Sequence, residues 1–314
     1  MLHKTEVKHF KPSHSILMAV LSVGALASAT QANARDFYVC KSGCLYANVQ
    51  DAVDVAYPGD TVFIGNGVYQ SPSIAEPHIV TLKGRGLSQT VLVGTINALC
   101  PTVTQPLRIH GVTITGGGSH DGGGINLRAC SADLIIDESA VIGNHSIQNG
   151  GGIFMEGGKL VIRKSIITDN STSLNDGPAG GLFDGANETF ITDSFIANNT
   201  TGTVNAGGGI FCRGRLFIRN TTIAYNKGGD GGGIFSSCSS TLHESLIVGN
   251  TARRGGGIFN NSDMKLVDSV VIGNTATVSG GGIYNDAGSG GTVTLKRTEV
   301  TDNTPDNCVG TVCQ

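Results

Sequence analysis

Apolar residues alternate with other residues along short stretches of this chain, as in Leu160 and Ile162 or Val293 and Leu295. A period of two predicts strands, because successive strand side chains point to opposite faces. The predicted strands are short, rich in Ile, Val and Leu, and bounded by Gly and Asn. They also repeat. From Gly231 to Asn274 one unit is written twice, as GGGIFSSCSSTLHESLIVGN, then TARR, then GGGIFNNSDMKLVDSVVIGN. The Gly-Gly-Gly-Ile anchor recurs at Ile125, Ile153, Leu182, Ile210, Ile234, Ile258 and Ile283. Intervals of about 24 to 29 residues mark a solenoid.

A second anchor, L-x-I-x-x-S-x-I-x-x-N, ends each unit. Its Asn stands at Asn144, Asn170, Asn199, Asn226, Asn250, Asn274 and Asn303, and a Ser or Thr lies five places earlier, from Ser139 to Thr298. Length variation falls mostly between this Asn and the next Gly run, so insertions map to one corner. Each unit is predicted to form one rung of an all-β, single-stranded parallel β-helix of about ten rungs. Such rungs pair with the coils above and below at about 4.8 Å, and none is stable alone. The Asn column is expected to form a ladder, each amide donating to the next, with Asn itself taking the left-handed turn conformation. The N-x-S/T triplets at Asn144, Asn170 and Asn199 are read as ladder positions rather than glycan acceptors.

The ends differ from the middle. Residues 1–34 read as an export signal: Lys4, Lys8 and Lys11, an apolar run from Ile16 to Ala29, and a small-residue cleavage site at Ala32-Asn33-Ala34. The run is short for a membrane span and no second one follows, so residues 35–314 are expected to form one exported domain without a transmembrane segment. Asn48 to Ala56 is predicted to be a helix, with Val49, Ala52, Val53 and Ala56 on one face and Asn48 as its cap. It would close the open end of the coil just before a first strand at Thr61–Ile64.

The stretch DAVDVAYPGDTVFIGNGVY (51–69) followed by TLKGRGLSQTVLVG (81–94) resembles the opening of pectin-lyase-like β-helix proteins, pectinesterases among them. The GGGI and I-x-x-N units resemble the repeats of chlamydial polymorphic outer membrane proteins. The resemblance implies a right-handed parallel β-helix. It bears on function only weakly, since these motifs are the parts that build rungs.

Composition narrows the partners. The net charge is −3 with no basic block, which gives no sign of nucleic acid binding. Eight cysteines in an exported chain favour disulfides over metal. Their connectivity is open; the pairing that suits stacked coils is Cys40 with Cys44 and Cys308 with Cys313 at the ends, Cys212 with Cys238 on adjacent rungs, and Cys100 with Cys130 remaining. No metal or cofactor is called for, and a monomer is expected.

Candidate chemistry is sparse. His120 and Asp121 would serve as a base and its partner, or lie in a solvated corner. Four places before each anchor Ile runs a column in which Asp230 and Arg254 are rung neighbours, expected as a surface pair; Arg253 and Arg254 would suit an acidic sugar. The column after the anchor is aromatic: Phe154, Phe183, Phe211, Phe235, Phe259 and Tyr284. Facing inward it fills the core; facing outward it is an exposed platform for sugars or a partner. The favoured function is a non-catalytic exported scaffold, secreted or on the cell surface, that binds polysaccharide or another surface in the manner of an adhesin. The alternative is a polysaccharide-active enzyme: a pectate or alginate lyase, a glycoside hydrolase or an epimerase.

Overall fold

The computed structural model describes residues 34–313 except 103–104, 129, 174–176, 203 and 205. The segment read as an export signal lies outside them, apart from Ala34. Nearly every strand is parallel to its neighbours and belongs to one of three long sheets. The first holds eleven strands, from Asp36–Val39 to Val293–Lys296; the second ten, from Gly67–Gln70 to Glu299–Thr301; the third ten, from Ser73–Ala75 to Cys308–Val309. One turn of chain adds one strand to each, as in Arg215–Arg219, Thr222–Ala224 and Ile234–Ser236. Equivalent residues stack in register, Ile210 on Ile234 on Ile258 on Ile283. This is a parallel β-solenoid of about ten turns, and its lumen is one continuous apolar core.

Two polar files run along the coil. Each Asn Oδ1 accepts from the backbone N–H and the side-chain Nδ2 of the Asn one turn earlier: Asn199 to Asn226 at 3.0 and 3.0 Å, Asn226 to Asn250 at 2.9 and 3.0 Å, Asn250 to Asn274 at 2.9 and 2.9 Å. Each Nδ2 also donates to a backbone carbonyl of the previous turn, as Asn226 does to Ile196. From Asn144 to Asn274 the members are at most 1% exposed, so their sequons are closed to a glycan. The Ser/Thr file works similarly, Ser165 N–H donating to Ser194 Oγ and Ser245 N–H to Ser269 Oγ.

The left-handed turn falls one residue before each file, not on the Asn itself as expected. Lys164, Asp193, Asn220, Glu244 and Asp268 precede the Ser/Thr file with positive φ, and Asp169, Asn198 and Tyr225 precede the Asn file. With the bend made upstream, the Asn side chain is free to point inward along the coil axis.

The N-terminal helix is shorter than predicted. It spans Val49–Val53, with Asn48 Oδ1 accepting from Asp51 N–H. Asp60 ends the run early: its carboxylate accepts from Tyr57 N–H at 2.9 Å and is held by Arg35 at 2.7 Å. Val49, Ala52, Val53 and Ala56 still bury against the first coil. The strand Asp36–Val39 was not foreseen; it pairs with Thr61–Ile64 and opens the first sheet. Four disulfides join Cys40–Cys44, Cys100–Cys130, Cys212–Cys238 and Cys308–Cys313. They point to an extracytoplasmic location. Among the described residues no helix is long and apolar enough to cross a membrane.

The Gly runs have a steric cause. At Gly255, φ is +60° and an added Cβ would lie 2.3 Å from the carbonyl oxygen of Ile258; at Gly273, φ is +64° and the space is open. Both alanine substitutions carry the left-handed penalty of about 1–2 kcal/mol, and only Gly255→Ala adds a backbone clash. Urea denaturation is expected to show Gly255→Ala losing at least ~2 kcal/mol more than Gly273→Ala; equal losses would refute the clash.

Candidate functional site

The corner after each Asn decides the fate of the residues singled out from sequence. Here the chain leaves the coil, forms short outer ribbons such as Thr251–Arg254 paired with Thr275–Ser279, and folds back on the Gly run. The first glycine then lies flat on its own strand; Gly122, Gly150 and Gly231 make the same approach as Gly255.

Because the anchor Ile points into the lumen, the following aromatic points away from it. The rings stack along the axis, Phe154 on Phe183 at 4.9 Å, Phe183 on Phe211 at 5.4 Å, Phe211 on Phe235 at 5.1 Å, Phe235 on Phe259 at 4.8 Å and Phe259 on Tyr284 at 5.2 Å. Yet the five Phe are only 2–6% exposed. They form a second apolar cluster, separate from the lumen and joined by Ala179, with Tyr284 partly open. The Arg213 guanidinium lies 5.2 Å from the Phe183 ring centre, and that of Arg254 lies 4.8 Å from Phe259. The column is therefore neither lumen core nor bare platform. It is an outward stack roofed by its own corner segments, and no Phe face is open to a sugar.

Asp230 and Arg254 are rung neighbours but not a surface pair. The Asp230 side chain is fully buried and accepts from Arg253 Nη2 at 3.0 Å and from Arg254 Nε and Nη2 at 3.2 and 3.1 Å. The hydrogen bond to Asp230 holds the Arg254 guanidinium above its ordinary pKa, against desolvation that pulls it down. Both arginines are thus committed to pinning a corner. Asp121 is used likewise: 2% exposed, it takes Arg128 Nη1 at 2.8 Å and Asn149 Nδ2 at 2.6 Å, with His120 Nδ1 at 3.3 Å. With those donors fixed on it, the carboxylate is placed to hold two rungs together.

A denser set of ionisable groups lies on the outward face of the first sheet. Register puts Thr81, Arg108, Ile135, Val161, Phe190 and Phe217 in one outward column, and Phe63, Lys83, His110, Asp137 and Arg163 in the next. Lys83, Arg108, His110, Ile135, Asp137 and Arg163 line a depression of about 190 Å³. His110 Nδ1 is 3.6 Å from Asp137 and its Nε2 4.0 Å from Glu138; Arg163 and Lys164 reach the same two carboxylates at 3.8 and 3.3 Å. Lys83, Arg85 and Arg108 have no carboxylate at ion-pair distance among the described residues. Stacked aromatic pairs flank the set, Tyr38 on Phe63 at 5.3 Å and Phe190 on Phe217 at 4.9 Å. Tyr38 is 53% and Phe217 36% exposed. Sequence reasoning passed over this face because its residues share no repeat; only the register assembles them.

No family model matches the chain, and no curated protein does. Solved structures similar to the chain at low identity include a pectate lyase and a pectin methylesterase. The pectate lyase Pel9A is 12% identical, with a TM-score of 0.41 over 88% of this chain and 78% of its own. A pectin methylesterase in complex with a hexasaccharide is 11% identical, with a TM-score of 0.38 over 82% and 81%. Likenesses this distant say nothing of activity.

Proposed function

We propose that this protein is an exported, non-catalytic scaffold that holds an extended acidic polysaccharide along the outward face of its first sheet. One observation carries the reading. Five cations (Lys83, Arg85, Arg108, Arg163 and Lys164) stand with two carboxylates (Asp137 and Glu138) on neighbouring rungs of this face and its bordering corner, in a chain whose net charge is −3. A local excess of positive charge on an acidic protein selects anions. Tyr38 and Phe217, the exposed members of the flanking aromatic pairs, offer apolar ring surface for sugars. A straight row of side chains at rung spacing suits a linear polymer better than a compact ligand.

Retention of the purified protein on immobilised polygalacturonate or alginate tests this. Binding is expected at low ionic strength, weakening as salt rises. It should fall at least tenfold in Arg108→Glu, an expected loss of at least ~1.4 kcal/mol, and less in Phe217→Ala. Arg254→Ala should leave it unchanged. Absence of retention on every acidic polymer at low salt would sink the proposal. Release of unsaturated or reducing ends, lost in His110→Ala, would replace it with the enzymatic reading.

A further inference from the structure

The second sheet turns a different surface outward. Over nine successive strands, from Gly67–Gln70 to Val270–Ile272, its two outward columns carry Val, Ile, Leu, Phe, Ala and Thr, with one Gln and no charged side chain. The first charge is Glu299 on the tenth strand. Most of this face is open: Val68 is 56% and Phe195 39% exposed, and Ile142, Ile166, Leu246 and Ile272 are partly open, while Ala140, Ala197 and Ala224 are buried between larger neighbours. Nine strands at about 4.8 Å span about 43 Å, and two side chains per strand make a stripe about 12 Å wide, on the order of 500 Å². That is at the upper end of what a soluble monomer leaves bare. Doubled, it reaches the ~1,000 Å² at which specific interfaces begin.

We infer that two copies of this chain stack second sheet on second sheet, antiparallel about a two-fold axis. A face without charge offers nothing to an ionic polymer, and a flat apolar stripe with a polar rim is complementary to itself. The charged corner residues beside the central strands are already occupied within the chain, Lys164 by Glu138 and Asp193 by Asn220, so the apolar stripe itself carries the contact. The pairing leaves the outward face of the first sheet uncovered in both copies. It departs from the monomer expected from sequence and does not depend on what the first sheet binds.

Sedimentation velocity on the purified protein over a wide concentration range decides the matter. The expected species has twice the chain mass and persists at high salt, because apolar burial is not screened. Ile166→Lys is expected to sediment as a monomer with the circular dichroism spectrum of the parent chain, its melting temperature lowered only by the lost contribution of association. Thr222→Lys, on the same face and less demanding sterically, serves if that variant fails to fold. A monomer at every concentration, or a dimer that survives both lysine variants, overturns the inference. A monomer that pellets instead with neutral lipid vesicles or with crystalline polysaccharide overturns it too and gives the face to that partner.

Discussion

Asn226→Asp is expected to destabilise the protein by about 4 kcal/mol at neutral pH, the largest loss for any change of so few atoms. Asn226 sits mid-file and is 1% exposed. Its Oδ1 accepts from Asn199 N–H and Nδ2, and an aspartate would keep both bonds. Its Nδ2 donates to Asn250 Oδ1 at 3.0 Å and to the Ile196 carbonyl at 3.0 Å. A carboxylate has no donor there and places negative charge against two acceptors. Each buried group left unpaired costs about 1–3 kcal/mol, and the charge adds desolvation. Burial against two acceptors raises the folded-state pKa of such a carboxyl, so the charge-dependent part of the loss should recede as pH falls from 7 and be gone below pH ~4, where the unfolded chain is protonated too and one donor is restored. The same change at Asn303, which is 8% exposed at the end of the file, should cost about half as much, since end coils admit water. Urea denaturation of both variants at pH 7 and pH 3.5 provides the comparison. Equal losses at the two positions would mean that the file is not a buried cooperative element.

That file was readable from sequence because it repeats. Asn at one place in every unit, a Ser or Thr five residues before it and a Gly run after it are each written about seven times, and stacking like on like converts a sequence period into a spatial column. What happens outside the coil was not readable. The aromatic column also repeats, and alternation correctly offers an outward orientation for it. Its roof, however, is built from segments of unequal length whose pairing is set by the return path of each corner. Asp230 was likewise placed beside Arg254 but not under a cover. The first sheet's outward face was missed for the opposite reason. Lys83, Arg108, His110 and Asp137 stand in different units at positions that repeat in no residue type, and only strand register makes them neighbours.

A third kind of position, inside the lumen, yields the other large effect. The protein is expected to lose stability as pH rises from about 4 to about 7, and Asp184→Asn to remove most of that loss. Asp184 lies in the lumen column between Met155 and Cys212 and is 0% exposed. Its Oδ1 accepts from Thr189 Oγ1 at 2.6 Å and Ala186 N–H at 3.2 Å, while Oδ2 has no hydrogen-bond partner among the described residues. Burial pushes its pKa up to about 7, outweighing the two hydrogen bonds that pull it down. The folded chain thus keeps this proton up to about pH 7, whereas the unfolded chain gives it up near 3.8. Between those values unfolding releases a proton, so stability is fully present below the lower value and declines until the upper one is passed. A gap of about three pKa units sets a ceiling of ~4 kcal/mol. Asparagine is nearly isosteric, retains the acceptor for Thr189 and Ala186, and has nothing to ionise. Urea midpoints for the two proteins should nearly coincide at pH 4 and separate by pH 8.5, with Asp184→Asn the more stable by about 2–4 kcal/mol. The carboxylates of Asp60 and Asp268, held low by Arg35 and Arg297, titrate below this window and are common to both proteins. Parallel curves across the whole range would show that water or a neighbour relieves the Asp184 charge, and that the lumen is wetter at this turn than its packing indicates.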